Sequence, residues 1–422
     1  MHVLDELFAR GLVQDCTDRE GLRKRMDEGP ITFYCGFDPT GLSLHAGTLV
    51  GLSLIARLAS AGHRPIAVLG GATGMVGDPS GKDTERTLID HATRERNLAA
   101  IGQQVARFLP SARVVNNHDW TQMGVMEFLR DVGKHITVNY MLAKESVRAR
   151  LEDRDQGISY TEFSYMLLQA FDFAHLAKTE GCQLQTGGSD QWGNITCGIE
   201  LSRKMGNPTP LWGLVTPLLM TASGKKFGKS ESGTSVWLDA AMTSPYQFYQ
   251  YWINAEDADV EKYLKFFTWL SLDEIGALMS QHDADRGKRL AQRELARLAT
   301  EWVHGAEAAR HAQQASETIF GGLSDVADLP AAVLELVLGE VPSSTLARRE
   351  LDLAPPLVEM LVRAKLAASK GAAHKLVTGG GVSINGAKIA DPHRALGPGD
   401  VLRNGLVVLR AGKKNFHLLR IG

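Results

Sequence analysis

Apolar residues along the chain gather into short unbroken runs and longer helical stretches. ITFYCGF (31–37) and PIAVLGG (65–71) are brief, apolar and closed by glycine, the pattern of strands buried on both faces. Between them LHAGTLVGLSLIARLASAG is mostly apolar and ends at Gly62, a residue suited to closing a helix. Strand, helix, strand in this order predicts a βαβ unit and so a parallel sheet. ARVVNN (112–117), QLQTGG (183–188) and LWGLVTPLL (211–219) are further strand candidates. Residues 90–180 are largely helical in pattern and too long for a simple crossover. They read as an insertion in a doubly wound, Rossmann-like α/β domain covering 1–218.

After Leu219 the period is lost. TASGKKFGKSESGT is rich in glycine, serine and lysine, and 219–243 reads as a mobile loop. Residues 244–320 regain a helical pattern. Residues 321–354, acidic with prolines at both ends, look like a linker. Residues 355–422 combine two short helical stretches with hairpin signals at Asn385-Gly386 and Asn404-Gly405, a small α+β domain.

A length of 422 residues fits two or three domains. The first residues, MHVLDELFARGLVQ, read as an amphipathic helix instead of a signal peptide, and no run approaches the roughly 18 apolar residues of a membrane span. Cys16, Cys35, Cys182 and Cys197 are scattered without C-x-x-C pairing, which argues against a zinc knuckle or disulfide framework and suits a cytoplasmic protein. Net charge is −2, but Arg363 to Gly422 carry +9 and the remaining residues −11. A basic tail on an acidic body suggests a polyanion partner at one end, or a tail that is basic for solubility.

Two familiar phosphate loops are excluded. GMVGDPSGKDT lacks Walker spacing and places Asp83 where Ser or Thr would hold magnesium; GGATGMVG is not G-x-G-x-x-G. ITFYCGFDPTGLSLHAGT offers another device. With Ser43 as N-cap, His45, Gly47 and Thr48 fall in or near a first helical turn, where unpaired N–H groups attract phosphate. Alone, the motif equally fits a lone histidine on a partly buried helix. Lys226 and Lys229, three apart in KKFGKS, suit closure over a triphosphate, although a solvated lysine loop has the same composition.

Together the two motifs resemble the paired HIGH and KMSKS signatures of class I aminoacyl-tRNA synthetases. YCGFDPT (34–40), YTEFSYMLLQAFDF (160–173) and LQTGGSDQWGN (184–194) narrow the resemblance to the bacterial tyrosyl-tRNA synthetases. It runs from about residue 30 to the C-terminus. The reaction it implies joins the carboxylate of L-tyrosine to the α-phosphorus of ATP, expels pyrophosphate, then passes tyrosine to tRNA(Tyr). An ionised carboxylate needs no general base, so alignment and charge stabilisation remain. The resemblance assigns Thr40 and His45 to the γ-phosphate side, Lys226, Lys229 and Ser230 to the pyrophosphate, and Lys82 and Arg86 to a second mobile loop. Cys35, Gly36, Asp38, Gly47 and Asp190 fall at its ATP positions, Asp190 on the ribose. Mg²⁺ would ride mainly on the phosphates, with no metal cage in the protein and no tightly bound cofactor. Where relatives commonly carry a second motif histidine, this chain has Thr48, which keeps a hydrogen bond but not an imidazolium charge.

On a helix Tyr165, Gln169 and Asp172 form one stripe, either a solvated face or a pocket lining; the resemblance selects the pocket. It gives Tyr165, Gln169 and Asp78 to the substrate ammonium and Tyr34 and Asp172 to the phenolic hydroxyl, with Gln191 on the carboxylate and Gln185 nearby. Rejection of phenylalanine by about 10⁵ is a family magnitude, not one that follows from this spacing. The tail resembles an RNA-binding module shared with a small-subunit ribosomal protein, with Lys370, Lys375 and Lys388 as RNA contacts. Relatives are homodimers joined through the helical insertion, and DVGKHITVNYMLAKESV is the candidate face. Three alternatives stay in view: a tryptophanyl enzyme, a free-standing nucleotidyltransferase and a catalytically silent RNA-binding paralogue.

Overall fold

The computed structural model describes residues 1–422 except 81–88, 145–146, 149–150, 152–156, 230–232, 322, 324–325 and 413–414. Two compact units form, one from Met1–Thr243 with Asn254–Leu295 and the other from Ser244–Ile253 with Ala296–Gly422.

The first unit is built on six strands: β1 (Asp15–Cys16), β2 (Thr32–Phe37), β3 (Arg64–Leu69), β4 (Arg113–Asn116), β5 (Cys182–Gly188) and β6 (Trp212–Thr216). Their order across the sheet is β1-β6-β5-β2-β3-β4. All pairings are parallel except β1 with β6. Every strand expected from the apolar runs is present; β1 was missed because two residues carry no period. The chain leaves β2 toward β3 on one side and β5 toward β6 on the other. Adjacent strands whose connections diverge leave a crevice at their carboxyl ends, and this topology sets where a site can form.

Helices α1 (Val3–Arg10), α2 (Leu49–Ser60), α3 (His91–Phe108), α4 (Tyr160–Glu180), α5 (Trp192–Lys204) and α6 (Asp257–Phe267) complete the frame. α2 is the expected buried helix, with Leu49, Leu52, Leu54 and Leu58 fully covered, and Gly62 follows it at φ 92°. α4 lies over the sheet, packing Phe173 and Leu176 against Tyr34, Ile66 and Val68. Ser43 does not cap the helix. Its hydroxyl is used instead by Leu44 O at 2.7 Å and by the Asp239 amide at 3.1 Å, and Ala46–Thr48 form a 3₁₀ turn ahead of α2.

The compact units divide the chain elsewhere than the sequence pattern does, because α6 is bound to the sheet unit by buried charge. Arg10 donates to the carbonyls of Lys265 and Leu270 at 3.2 and 2.7 Å, and Arg57 donates to that of Thr268. Both guanidiniums pair with Glu6. Burial pulls Arg57 down to about 10, against the pairing with Glu6. Such long-range capping of a helix end leaves no local sequence signal.

In the second unit β7 (Ser343–Leu346), β8 (Val382–Ile384), β9 (Ala387–Ile389), β10 (Leu406–Ala411) and β11 (Asn415–Ile421) form a sheet in the order β7-β11-β10-β8-β9. β7, within the segment read as a linker, pairs parallel to β11. Asn385-Gly386 joins β8 to β9 with φ values of 49° and 83°, a two-residue hairpin turn as expected. Asn404-Gly405 only turns the chain into β10, Gly405 donating to Leu402 O. The core gathers Leu357, Leu361, Val377, Val407, Leu409 and Leu419.

Leu409→Ala, at a fully buried sheet position, should cost about 2–5 kcal/mol in denaturant unfolding of this unit. Exposed Lys388→Ala should change it by about 0.5 kcal/mol or less.

Candidate active site

The carboxyl ends of β2 and β5 open into a cavity of about 570 Å³. One rim is the mouth of α2. Here the chain returns from the lysine loop and bonds back: Ala46 N donates to Val236 O at 2.7 Å and Leu238 N to Leu44 O at 2.9 Å. His45 and Trp237 form a β-bridge, their rings edge to face at 6.3 Å. Gly228, at φ 87°, lies so close that a Cβ there would stand 2.7 Å from Gly47 N, and a Cβ on Gly47 would stand 2.8 Å from the His45 ring. Gly228 is therefore needed by its approach to the Gly47 backbone, and Gly47 by the His45 ring packed over it. His45, Gly47, Thr48 and Lys226 all face the cavity from this rim.

The opposite wall belongs to α4. Its Tyr165–Gln169–Asp172 stripe lines the cavity and is no solvated face; Tyr165 and Asp172 are 4% and 3% exposed. Asp172 accepts from Asn117 Nδ2 at 3.0 Å and from Trp120 Nε1 at 2.8 Å. Burial lifts it to about 7, while these two donors hold it down. Tyr34, from β2, is 2% exposed, and its phenol oxygen has no partner among the described residues, as does Gln185 Oε1 from β5. Burial, then Asp172, pushes the Tyr34 phenol well above its ordinary range. Orphaned buried polar atoms cost free energy unless a ligand completes them.

Beyond the carboxyl ends of β3 and β5, Asp78 accepts from Gln191 Nε2 at 2.5 Å and from the Ser80 amide at 2.9 Å. Asn194 Nδ2 reaches Gln169 Oε1 at 3.1 Å and Gln191 Oε1 at 3.2 Å. One carboxylate and two amide oxygens are thus gathered in a single bonded network on the cavity lining. Asp190 is raised by burial against its bond from Gln191.

Cys35, Gly36 and Asp38 also line this cavity, so most of the expected residues converge. Thr40 and Lys229 are exposed and stand outside the wall; Lys229 instead bridges to Ser235 in the loop. Lys82, Arg86 and Ser230 lie outside the described residues. Lys370, Lys375 and Lys388 are exposed in the other unit. Sequence reading missed Asn117, Trp120 and Asn194. Trp120 ends NNHDW just after a predicted strand, and Asn194 closes a quoted motif, yet only the fold aims them at Asp172 and Gln169.

Comparison with known proteins gives the same reading. The family model of tRNA synthetases class I (W and Y) matches residues 26–321, and that of the Tyrosine--tRNA ligase SYY-like C-terminal domain matches 334–419. The chain is 51% identical to the Tyrosine--tRNA ligase of Anaeromyxobacter dehalogenans, over 100% of this chain and 99% of that one. It is 49% identical to the Tyrosine--tRNA ligase of Bacillus caldotenax, over the full length of both. Among solved structures it is similar to a C-terminally truncated mitochondrial tyrosyl-tRNA synthetase of Aspergillus nidulans, with TM-score 0.69, 31% identity and coverage of 75% of this chain and 94% of that chain. With matches along both units and half of its residues identical to full-length relatives, the chain belongs to the class I tRNA synthetases, in the tyrosine--tRNA ligase family.

Proposed function

We propose that the cavity joins L-tyrosine to ATP and that the enzyme then esterifies tRNA(Tyr) with the activated tyrosine. The observation that carries this is the pairing of an orphaned buried phenol, Tyr34, with an acceptor-only carboxylate, Asp172, in one cavity. A phenolic hydroxyl, both donor and acceptor, completes both; an indole N–H can only donate. This favours tyrosine over tryptophan. The substrate ammonium sits against Asp78, Tyr165 and Gln169, and its carboxylate then points toward the α2 mouth.

There the triphosphate lies between His45, Thr48 and Lys226. The attacking carboxylate is ionised without help, so the residues act by alignment and by meeting charge on the phosphoryl oxygens. The family resemblance assigns Thr40, Lys229, Ser230, Lys82 and Arg86 to the same phosphates, and Asp190 to the ribose. Magnesium arrives on the triphosphate oxygens. Exposed Lys370, Lys375 and Lys388 contact the tRNA backbone, positioning it without reading bases. Val125, Met126, Leu129 and Val138 expose apolar surface on the insertion, which a second copy covers in a homodimer. Four free thiols suit the cytoplasm.

Tyrosine-dependent exchange of labelled pyrophosphate into ATP tests the reaction; exchange driven by tryptophan instead, or by neither amino acid, would overturn it. Truncation after Phe320, which removes β7–β11, should keep this exchange and abolish tRNA charging, whereas equal loss of both would make the removed segment structural only.

Asp172→Ala should cut selection of tyrosine over phenylalanine by about 10- to 100-fold, measured as the ratio of kcat/KM values. In the wild type, tyrosine KM should rise as pH falls through about 7, where Asp172 takes up a proton and ceases to be acceptor-only. Asn117→Ala removes a donor that favours the ionised form, so this midpoint should move to higher pH.

A further inference from the structure

The sequence reads the stretch opening at Leu219 as a mobile loop, yet its first part is a hairpin. Met220 and Lys226 form an antiparallel bridge. Phe227 N donates to Leu219 O at 3.1 Å, Thr221 N to Lys225 O at 2.8 Å and Gly224 N to Thr221 O at 2.9 Å. The turn closes at Gly224 with φ 79°.

One stripe of α6 holds this hairpin. Asp259, Lys262, Tyr263 and Phe267 recur at helical spacing and so share a face. Asp259 Oδ2 accepts from the Ala222 amide in the turn at 2.7 Å. Its Oδ1 accepts from Lys262 Nζ at 3.0 Å, and the same ammonium donates to Met220 O at 3.3 Å. At the other end the Phe227 ring stacks on Phe267 at 5.3 Å, 6° from parallel, and tilts against Tyr263 at 5.1 Å.

Asp259 is 2% exposed, and a buried carboxylate persists only where donors hold it. Both of its oxygens hold the hairpin, one directly and one through Lys262, and it does not line the cavity. The hairpin carries Lys226, which does. We propose that Asp259 is a positioning residue for adenylate formation: it fixes the hairpin against α6 and so sets where Lys226 meets the triphosphate. This rests on the adenylate reading above. A charge that follows the developing phosphoryl charge is effective only if it is already in place, so displacement acts on kcat. Tyrosine binds at the α4 wall, away from the hairpin, and its affinity should not follow.

Tyrosine-dependent pyrophosphate exchange by the full chain tests this. Asp259→Ala should lower kcat by about 10- to 100-fold, with tyrosine KM within about twofold of wild type. Asp259→Asn keeps an oxygen for the Ala222 amide and should recover most of the loss. Lys262→Met, at a partly exposed site that should fold, should lower kcat in the same direction by a smaller factor. Unchanged kcat in both Asp259→Ala and Lys262→Met overturns the proposal. So does a rise in tyrosine KM that accounts for the whole loss, because that marks lost tyrosine binding instead of a misplaced charge. Absence of exchange in the wild type removes the adenylate reading itself, a different failure from wild-type exchange with insensitive variants.

Discussion

Two stretches of backbone, from segments about 180 residues apart in sequence, meet at van der Waals distance where Gly228 covers Gly47. No side chain fits between them: a Cβ on Gly228 would fall 2.7 Å from Gly47 N. This contact brings the lysine loop to the mouth of α2, and without it His45 and Lys226 would belong to separate surfaces. The bonds from Ala46 to Val236 and from Leu238 to Leu44 extend the same seam. A rim built this way uses backbone proximity to bring His45 and Lys226 together, and glycine is the residue that permits it.

The remainder of the cavity is arranged by charge and burial. Asp172 is kept ionisable near neutrality by Asn117 and Trp120, which offset part of its desolvation. Asp78, Gln191 and Asn194 form a second network a short distance away. The two networks differ in chemistry: in one a carboxylate accepts from Asn117 and Trp120 beside an unpartnered phenol, in the other a carboxylate is tied to amide side chains. A divergence of connections at β2 and β5 opens the cavity that both share with the α2 mouth. Buried polar networks of this kind have value only when complete, and Tyr34 and Gln185 each keep one buried atom without a partner among the described residues.

Much of this was legible in the chain. Short apolar runs closed by glycine gave β2 and β3, because a strand buried on both faces needs no polar alternation, and the stretches that became β4, β5 and β6 were candidates on weaker patterns. The stripe Tyr165–Gln169–Asp172 gave a shared helical face, because 3.6 residues per turn aligns those positions. Less was legible where a residue's partner lies far along the chain. Trp120 and Asn117 sit beyond a short strand with no pattern pointing at α4. Ser43, with the right chemistry for a cap, is drawn instead to Asp239, since a hydroxyl bonds whatever donor the fold brings nearest. The short strands β1 and β7 have too few residues for any period to register.

By itself, then, the sequence determined the kind of sheet, the buried helix between its first strands, the shared helical face of Tyr165, Gln169 and Asp172, and the concentration of positive charge near the C-terminus. These are local properties: periodicity, composition and spacing within a single element. Tertiary structure alone decided that α4 turns its polar stripe inward, that the motif glycines touch, and that α6 grips a hairpin the sequence presented as a loose loop. Each of these depends on which distant group supplies a donor, an acceptor or an apolar face, and no residue encodes its partner's position until the chain has closed around it.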